Sequence, residues 1–275
     1  MSERFIKLLL LSIGSGFMVF FCLFPFLYML LISLGENPTA VWKGTGFLTL
    51  DNYREILQRE SLHFIDYLRN SMVVSSVSAL FSVLISSLSA YAVTRLSFPG
   101  RLFLLFFVLA VSLFPPISIV GYLFKLMSLL GLINTYSSLI LPYISLNLPL
   151  SLWILTSYFS QIPLELDRAA LVDGASRWRI LFRIILPVAL PGVFSAFLLS
   201  FIFSFNEFIL ALTLTTDYRA RTVPVGIALF QGLHGETPWG TIMAASVITI
   251  LPIVLLTVLF QKYIIGGLTR GAVKG

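Results

Sequence analysis

Charge is what this sequence has least of. Of 275 residues only 18 are Lys or Arg and 12 are Asp or Glu, 11% in all, against about 25% in a soluble globular domain. So few cannot coat a water-soluble fold of this length. Cysteine is nearly absent: the single Cys22 lies in an apolar run and has no partner within the chain, which excludes a disulfide scaffold. Histidine is as scarce. His63 and His234 stand far apart, with no Cys or paired acids nearby, so no metal site is expected. No G-x-x-x-x-G-K-[ST] phosphate loop exists, so the chain does not itself cradle ATP. No catalytic set emerges either, and the chain is not expected to be an enzyme. The net charge of +6 is scattered between apolar runs rather than gathered in a patch, which argues against nucleic acid as a partner.

Apolar residues, by contrast, make up 58% of the chain, and mean hydropathy is +0.97. This composition belongs to an integral membrane protein. A helix crossing about 30 Å of hydrocarbon needs about 20 residues, and uncharged runs cover 8–35, 70–94, 102–124, 126–164, 184–206 and 237–261. They predict an all-α polytopic membrane protein with six transmembrane helices, at about 6–34, 68–94, 102–124, 136–160, 190–215 and 240–264. The runs are too long and too uniformly apolar for barrel strands. The first exceeds the length of a cleaved signal's apolar core and reads as a retained anchor. Pro115, Pro116, Pro142, Pro149 and Pro252 fall within spans, where kinks are expected. The whole chain, 1–275, reads as one transmembrane domain with a polar loop at 161–189 and a tail at 265–275.

Orientation follows from the bias of Lys and Arg across the loops. With the N-terminus in the cytoplasm, that side receives 11 of the 18 basic residues, among them Arg95, Arg101, Arg168, Arg177, Arg179 and Arg183. Basic residues on the outer side are matched by acids in the 35–67 and 216–240 loops. A multi-pass protein of a prokaryotic plasma membrane with both termini cytoplasmic is expected.

Polar residues inside the spans are the candidates for function. Asn206 and Glu207 lie in the fifth span, where a carboxylate costs about 2.5–3.5 kcal/mol on insertion scales and should face a wet cavity or a partner helix. Ala196, Ser200, Ser204, Glu207 and Ala211 recur at helical spacing and form one small, polar stripe. Two readings stand open: Ser200, Ser204, Asn206 and Glu207 line a solute pathway, or they make interhelical hydrogen bonds that fix packing. Ser71, Ser75, Ser78, Ser82, Ser86 and Ser89 in the second span form a further stripe, read as a close-packing face.

The 161–189 loop is organised as two short helices at an elbow. Pro163 opens the first, with Glu165 and Asp167 in the first turn where the helix dipole favours acids. Asp173-Gly174 stops it. Ser176 caps the second, in which Trp178, Leu181, Phe182 and Ile185 give an apolar face, ending before Pro187. Such a rigid projection suits docking to a soluble partner.

At this point the sequence resembles a known family. Arg168-Ala169-Ala170-x-x-Asp173-Gly174-Ala175 followed by Ile184-x-Leu186-Pro187 looks like the EAA loop of bacterial and archaeal ABC importer permeases. Ser89-Ala90-Tyr91-Ala92, Phe98-Pro99-Gly100-Arg101, Leu132-x-Asn134-Thr135, Asn206-Glu207-Phe208, Trp239-Gly240, Met243-Ala244-Ala245-Ser246 and the 267–275 ending resemble the sugar-uptake permeases of the maltose and trehalose type. The resemblance implies a type I ABC importer permease fold with a cytoplasmic coupling-helix loop, working with a second homologous permease, two ATP-binding cassette ATPases that hold the ATP and Mg, and an extracytoplasmic sugar-binding protein. Glu165, Asp167, Arg168, Ala169, Ala170, Asp173, Gly174, Ala175 and Arg177 would then form the coupling surface, and His234 and Trp239 would face the binding protein. One departure stands out. The family's glutamate before the paired alanines is Arg168 here, so a neighbouring acid or a partner of compensating charge must serve in its place. The rival reading, an ion-coupled secondary transporter with Glu207 as the coupling site, leaves the elbow without a role.

Overall fold

The computed structural model describes residues 3–35, 48–230 and 237–272, and the side chains of 7–35, 48–230 and 237–261. The described backbone is helical, without a named strand. Its helices are α1 (Glu3–Ser33), α2 (Asp51–Gln58), α3 (Phe64–Arg95), α4 (Arg101–Ser112), α5 (Val120–Leu129), α6 (Tyr136–Ser160), α7 (Leu164–Val172), α8 (Arg177–Val188), α9 (Leu190–Phe205), α10 (Ile209–Leu214), α11 (Val223–Ala228) and α12 (Trp239–Ala272).

Four of the expected spans, α1, α3, α6 and α12, are continuous and long enough to cross a bilayer. α12 runs on through most of the residues expected as a tail. The other two differ from the sequence-based expectation. The third is broken rather than kinked: α4 ends at Ser112, and Pro116–Leu129 leaves it at 87°, because Pro115 and Pro116 in succession remove two backbone donors and forbid a straight continuation. The fifth is interrupted at Asn206–Phe208. α9 is only 16 residues, about 24 Å, and α10 resumes beyond the break. α8 also runs past its expected end, through Pro187 to Val188. A π-helical turn at Leu181–Ile185, closed by Leu186 N–H bonding to Leu181 O, widens the helix immediately before the proline, whose ring would otherwise meet the preceding turn. The chain then bends by 81° into α9.

Two compact units are formed. In the first, residues up to 65 combine with 227–251. The amide of Asn52 in α2 caps the end of α1 by donating to the carbonyls of Ser33 (3.0 Å) and Gly35 (2.9 Å), and Tyr53 shares a hydrogen bond with Ser33. Thr241 of α12 donates to Glu55 of α2 at 3.1 Å. The apolar side chains of α1 from Leu8 to Leu31 are almost all exposed, as expected of a helix facing hydrocarbon.

The second unit, 66–226 with 252 onward, holds the main core. Val83, Ala90 and Tyr91 of α3, Leu152, Leu155 and Phe159 of α6, Ala170 of α7, Ile180, Leu181 and Ile185 of α8 and Ala196 of α9 form one apolar cluster. The elbow is thus rooted in the helix bundle of this unit. Backbones approach closely where residues are small. A Cβ on Gly192 of α9 would overlap the ring of Tyr158 in α6. The serine stripe of α3 behaves as a packing face: Ser71, Ser75, Ser78, Ser82 and Ser86 are buried, with Ser82 and Ser86 donating to the carbonyls of Ile144 and Leu148 in α6.

Candidate functional site

The elbow is built by local rules. Gly174 has φ +76°, in the left-handed region, and closes α7 in a Schellman arrangement with Ala175 N–H bonded to Ala170 O (2.9 Å) and Gly174 N–H to Leu171 O (3.1 Å). No atom lies within 4 Å of a Cβ built there, so the turn's geometry rather than crowding selects glycine. Ser176 Oγ accepts from Arg179 N–H and caps α8, as its sequence predicts.

Burial sorts the elbow residues. Glu165, Arg168, Ala169, Asp173, Gly174 and Arg177 are exposed, Ala175 is half-buried, and Ala170 and Asp167 are buried. Asp167 therefore points into the protein and pairs with Arg95 at the end of α3, leaving Glu165 and Asp173 as the acids on the outer surface beside Arg168. The apolar face expected on α8 is split: Leu181 and Ile185 enter the core, while Trp178 and Phe182 stack on each other outside it, ring centroids 6.1 Å apart. Trp178 is 65% exposed. The inward face is completed by Ile180 instead. An aromatic pair flanked by charges on a rigid, core-anchored turn has the composition of an interface hot spot.

The stripe on the fifth span meets α6 rather than a cavity. Ser151 and Ser200 share a hydrogen bond at 2.9 Å, the Asn147 amide donates to Ser204 at 2.8 Å, and the Tyr143 hydroxyl donates to Glu207 Oε2 at 2.7 Å. Tyr143, Asn147 and Ser151 recur every four residues along α6, opposite Glu207, Ser204 and Ser200 running the other way. The result is a polar ladder. Ser200 and Ser204 are fully buried in it. Only one strand of the ladder was singled out from sequence, although the four-residue recurrence on α6 was there to be read. Glu207 also acts within its own span, where its carboxylate accepts from Leu210 N–H (2.8 Å) and Ala211 N–H (3.1 Å), satisfying the first donors of α10 across the break. Asn206 turns away and is exposed.

A third polar cluster pins the segment after α10. Asn134, itself at φ +61°, accepts from the backbone N–H groups of Thr216 and Asp217 and donates to Asp217 Oδ1 at 2.9 Å. Asp217 also accepts from Arg219 N–H. These hydrogen bonds, the Asn134 amide first among them, hold its carboxyl below the usual range, helped by the charges of Arg219 and Arg221. Asn70 of α3 adds a clamp, donating to the carbonyls of Tyr218 and Arg221 and accepting from the Tyr136 hydroxyl. Of the two expected binding-protein contacts, Trp239 opens α12 and is half exposed, and His234 lies outside the described residues.

Residues 82–270 match the family described as binding-protein-dependent transport system inner membrane component. The chain belongs to that family. Its members are transport components rather than catalysts, and the matched region contains both the elbow and the ladder. The trehalose/maltose transport system permease protein MalG of Thermococcus litoralis is 55% identical over 100% of both chains. The trehalose transport system permease protein SugB of Mycobacterium tuberculosis is 39% identical over 93% of each, and the sulfoquinovosyl glycerol transport system permease protein SmoH of Agrobacterium fabrum is 39% identical over 92% of this chain and 89% of its own. Among solved structures, a chain of a bacterial ABC transporter that imports alginate superposes with a TM-score of 0.80 at 20% identity, covering 96% of this chain and 99% of that one. The fold is therefore that of an ABC importer permease.

Proposed function

We propose that this chain is one of two permease subunits of an ATP-driven importer for trehalose, maltose or a related oligosaccharide. The observation that carries the reading is full-length 55% identity to a permease of that name, joined to an elbow that displays a stacked aromatic pair and charged neighbours. In this reading the chain crosses a prokaryotic plasma membrane with both termini and the elbow in the cytoplasm. A second homologous permease completes the pathway, an extracytoplasmic binding protein delivers sugar near Trp239 and His234, and two ATPase subunits hold ATP and Mg. Glu165, Arg168, Ala169, Asp173 and Arg177 ring the docking knob, with Trp178 and Phe182 entering a cleft on the ATPase. Arg168, standing where the family has a glutamate, calls for an acidic counterpart there. The chain's own work is differential: the ATPases and the loaded binding protein must each bind one of two membrane states more tightly than the other for the cycle to turn.

The test is reconstitution of the co-expressed transporter in proteoliposomes with ATP inside and labelled trehalose plus binding protein outside. Uptake that requires ATP and co-purifying ATPase subunits is expected. Uptake driven by a proton or sodium gradient in their absence would overturn the reading.

A further inference from the structure

The helix α3 has no backbone connection to the elbow, yet a side chain at its end holds the elbow from two directions. Arg95 is the last residue of α3. Its Nε lies 3.4 Å from Asp167 Oδ2 in the first turn of α7, and its Nη2 donates at 2.9 Å to the carbonyl of Ile162, between α6 and α7. Both charged side chains are nearly sealed, 3% and 6% exposed. The remaining links between α3 and the elbow's surroundings are apolar contacts of Tyr91 and its neighbours in the core cluster, which can slide. The contact with Asp167 is an ion pair and the one with Ile162 a charge-assisted hydrogen bond, so the guanidinium cannot slide away without breaking that bond and leaving a carboxylate unpaired in a medium of low polarity. A buried ion pair contributes little net stability compared with an apolar pair of the same volume. A displacement of the elbow reaches α6 and α9 along the backbone, and reaches α3 through this polar grip and the apolar contacts of the core cluster.

We infer that Arg95 and Asp167 are positioning residues of the transport cycle, a buried strut that makes α3 move with the elbow. The inference rests on the elbow being the ATPase dock, and the wild-type complex tests that dock separately, by ATPase co-purification and ATP-dependent uptake. The strut is tested in the same proteoliposomes by the ratio of sugar imported to ATP hydrolysed, with subunit stoichiometry measured alongside. Asp167→Asn and Arg95→Gln are each expected to retain all subunits and to lower that ratio about threefold or more, with the double variant no worse than Arg95→Gln, because that single change already removes both the ion pair and the bond to Ile162. Reversal of the pair, Arg95→Asp with Asp167→Arg, should recover part of the loss. Arg95→Lys keeps the charge but not the two-pronged grip; it provides an assembled variant should the others fail to fold, and it too should lower the ratio. A wild-type ratio in Arg95→Lys and in either neutral single variant would overturn the strut. So would reduced assembly accompanied by an unchanged ratio in the complexes that form, since the pair would then be a brace for folding alone.

Discussion

Replacing Glu207 by alanine should destabilise the chain more than replacing its partner Tyr143 by phenylalanine, and the difference measures what the carboxylate does beyond its rung of the ladder. Tyr143→Phe removes only the rung between α6 and the break that follows α9, a bond of 2.7 Å; hydrogen bonds between membrane segments of this kind are worth about 0.6 kcal/mol, rising to about 1.7. Glu207→Ala removes the same rung, leaves the hydroxyl of fully buried Tyr143 without its acceptor, and strips Leu210 and Ala211 N–H of theirs. An unsatisfied buried hydroxyl costs about 1–3 kcal/mol, and loss of a capping acceptor about 1 kcal/mol. The sum is about 2–4 kcal/mol, equivalent to a fall in Tm of about 4–16 °C if the scaling for soluble domains of similar size holds in detergent. Heating the purified protein in detergent and measuring the surviving monodisperse fraction by fluorescence-detected size exclusion gives both midpoints. Tyr143→Phe should lie between wild type and Glu207→Ala. Equal losses for the two variants would remove the cap from the account. A wild-type midpoint for Glu207→Ala, with a changed KM for sugar, would refute the structural assignment altogether and return the carboxylate to the solute.

Gly174→Val should weaken ATPase co-purification, because a β-branched residue at φ +76° is strained by about 1–2 kcal/mol; Gly174→Asn, which tolerates that region, should restore most of it, and equal behaviour of the two would dismiss the backbone explanation. Trp178→Ala should reduce ATPase recovery by about tenfold or more, as loss of an exposed aromatic anchor does, while leaving the thermal midpoint of the isolated chain unchanged; a lowered midpoint would make Trp178 a core residue. Gly192→Leu should drive a side chain into Tyr158 and destabilise the chain by about 1–3 kcal/mol, read as a lowered midpoint, whereas the double change with Tyr158→Ala should relieve it. Asp217, held below the usual carboxylate range by Asn134 and Arg219 N–H, contributes stability that is complete above its unfolded value of about 3.9 and is lost as pH falls through the lower folded value; the midpoint of Asp217→Asn should accordingly vary less than that of wild type below that pH, and parallel curves would remove the linkage.

The amino-acid sequence by itself determined the solvent. With 11% charged residues and six long uncharged runs, only a helical membrane protein can satisfy its backbone. It also determined the elbow, because caps and turns are local chemistry: Pro163, Ser176 and Gly174 act within a few residues of themselves, and all three are found in the roles their positions predict. The limits of α6 were legible for the same reason, as was the end of α3 to within one residue, while α3 begins four residues before its expected start. Two features were read only in part. The prolines at 115 and 116 marked a disturbance but not an 87° turn, and Pro187 was read as a stop because a π turn cannot be seen from residue types.

What tertiary structure alone decided is the partner of each polar side chain. The stripe Ser200, Ser204, Glu207 looks the same from sequence whether it faces water or a helix; it is α6, bringing Ser151, Asn147 and Tyr143 opposite, that makes it a ladder. Asp167 reads as one more surface acid until Arg95, from the far end of a helix two spans earlier, is placed against it. Helical periodicity fixes which residues share a face. Which face meets which depends on contacts between segments far apart in the chain, and a hydrogen bond or ion pair inside the membrane exists only once both halves have been brought within about 3 Å of each other.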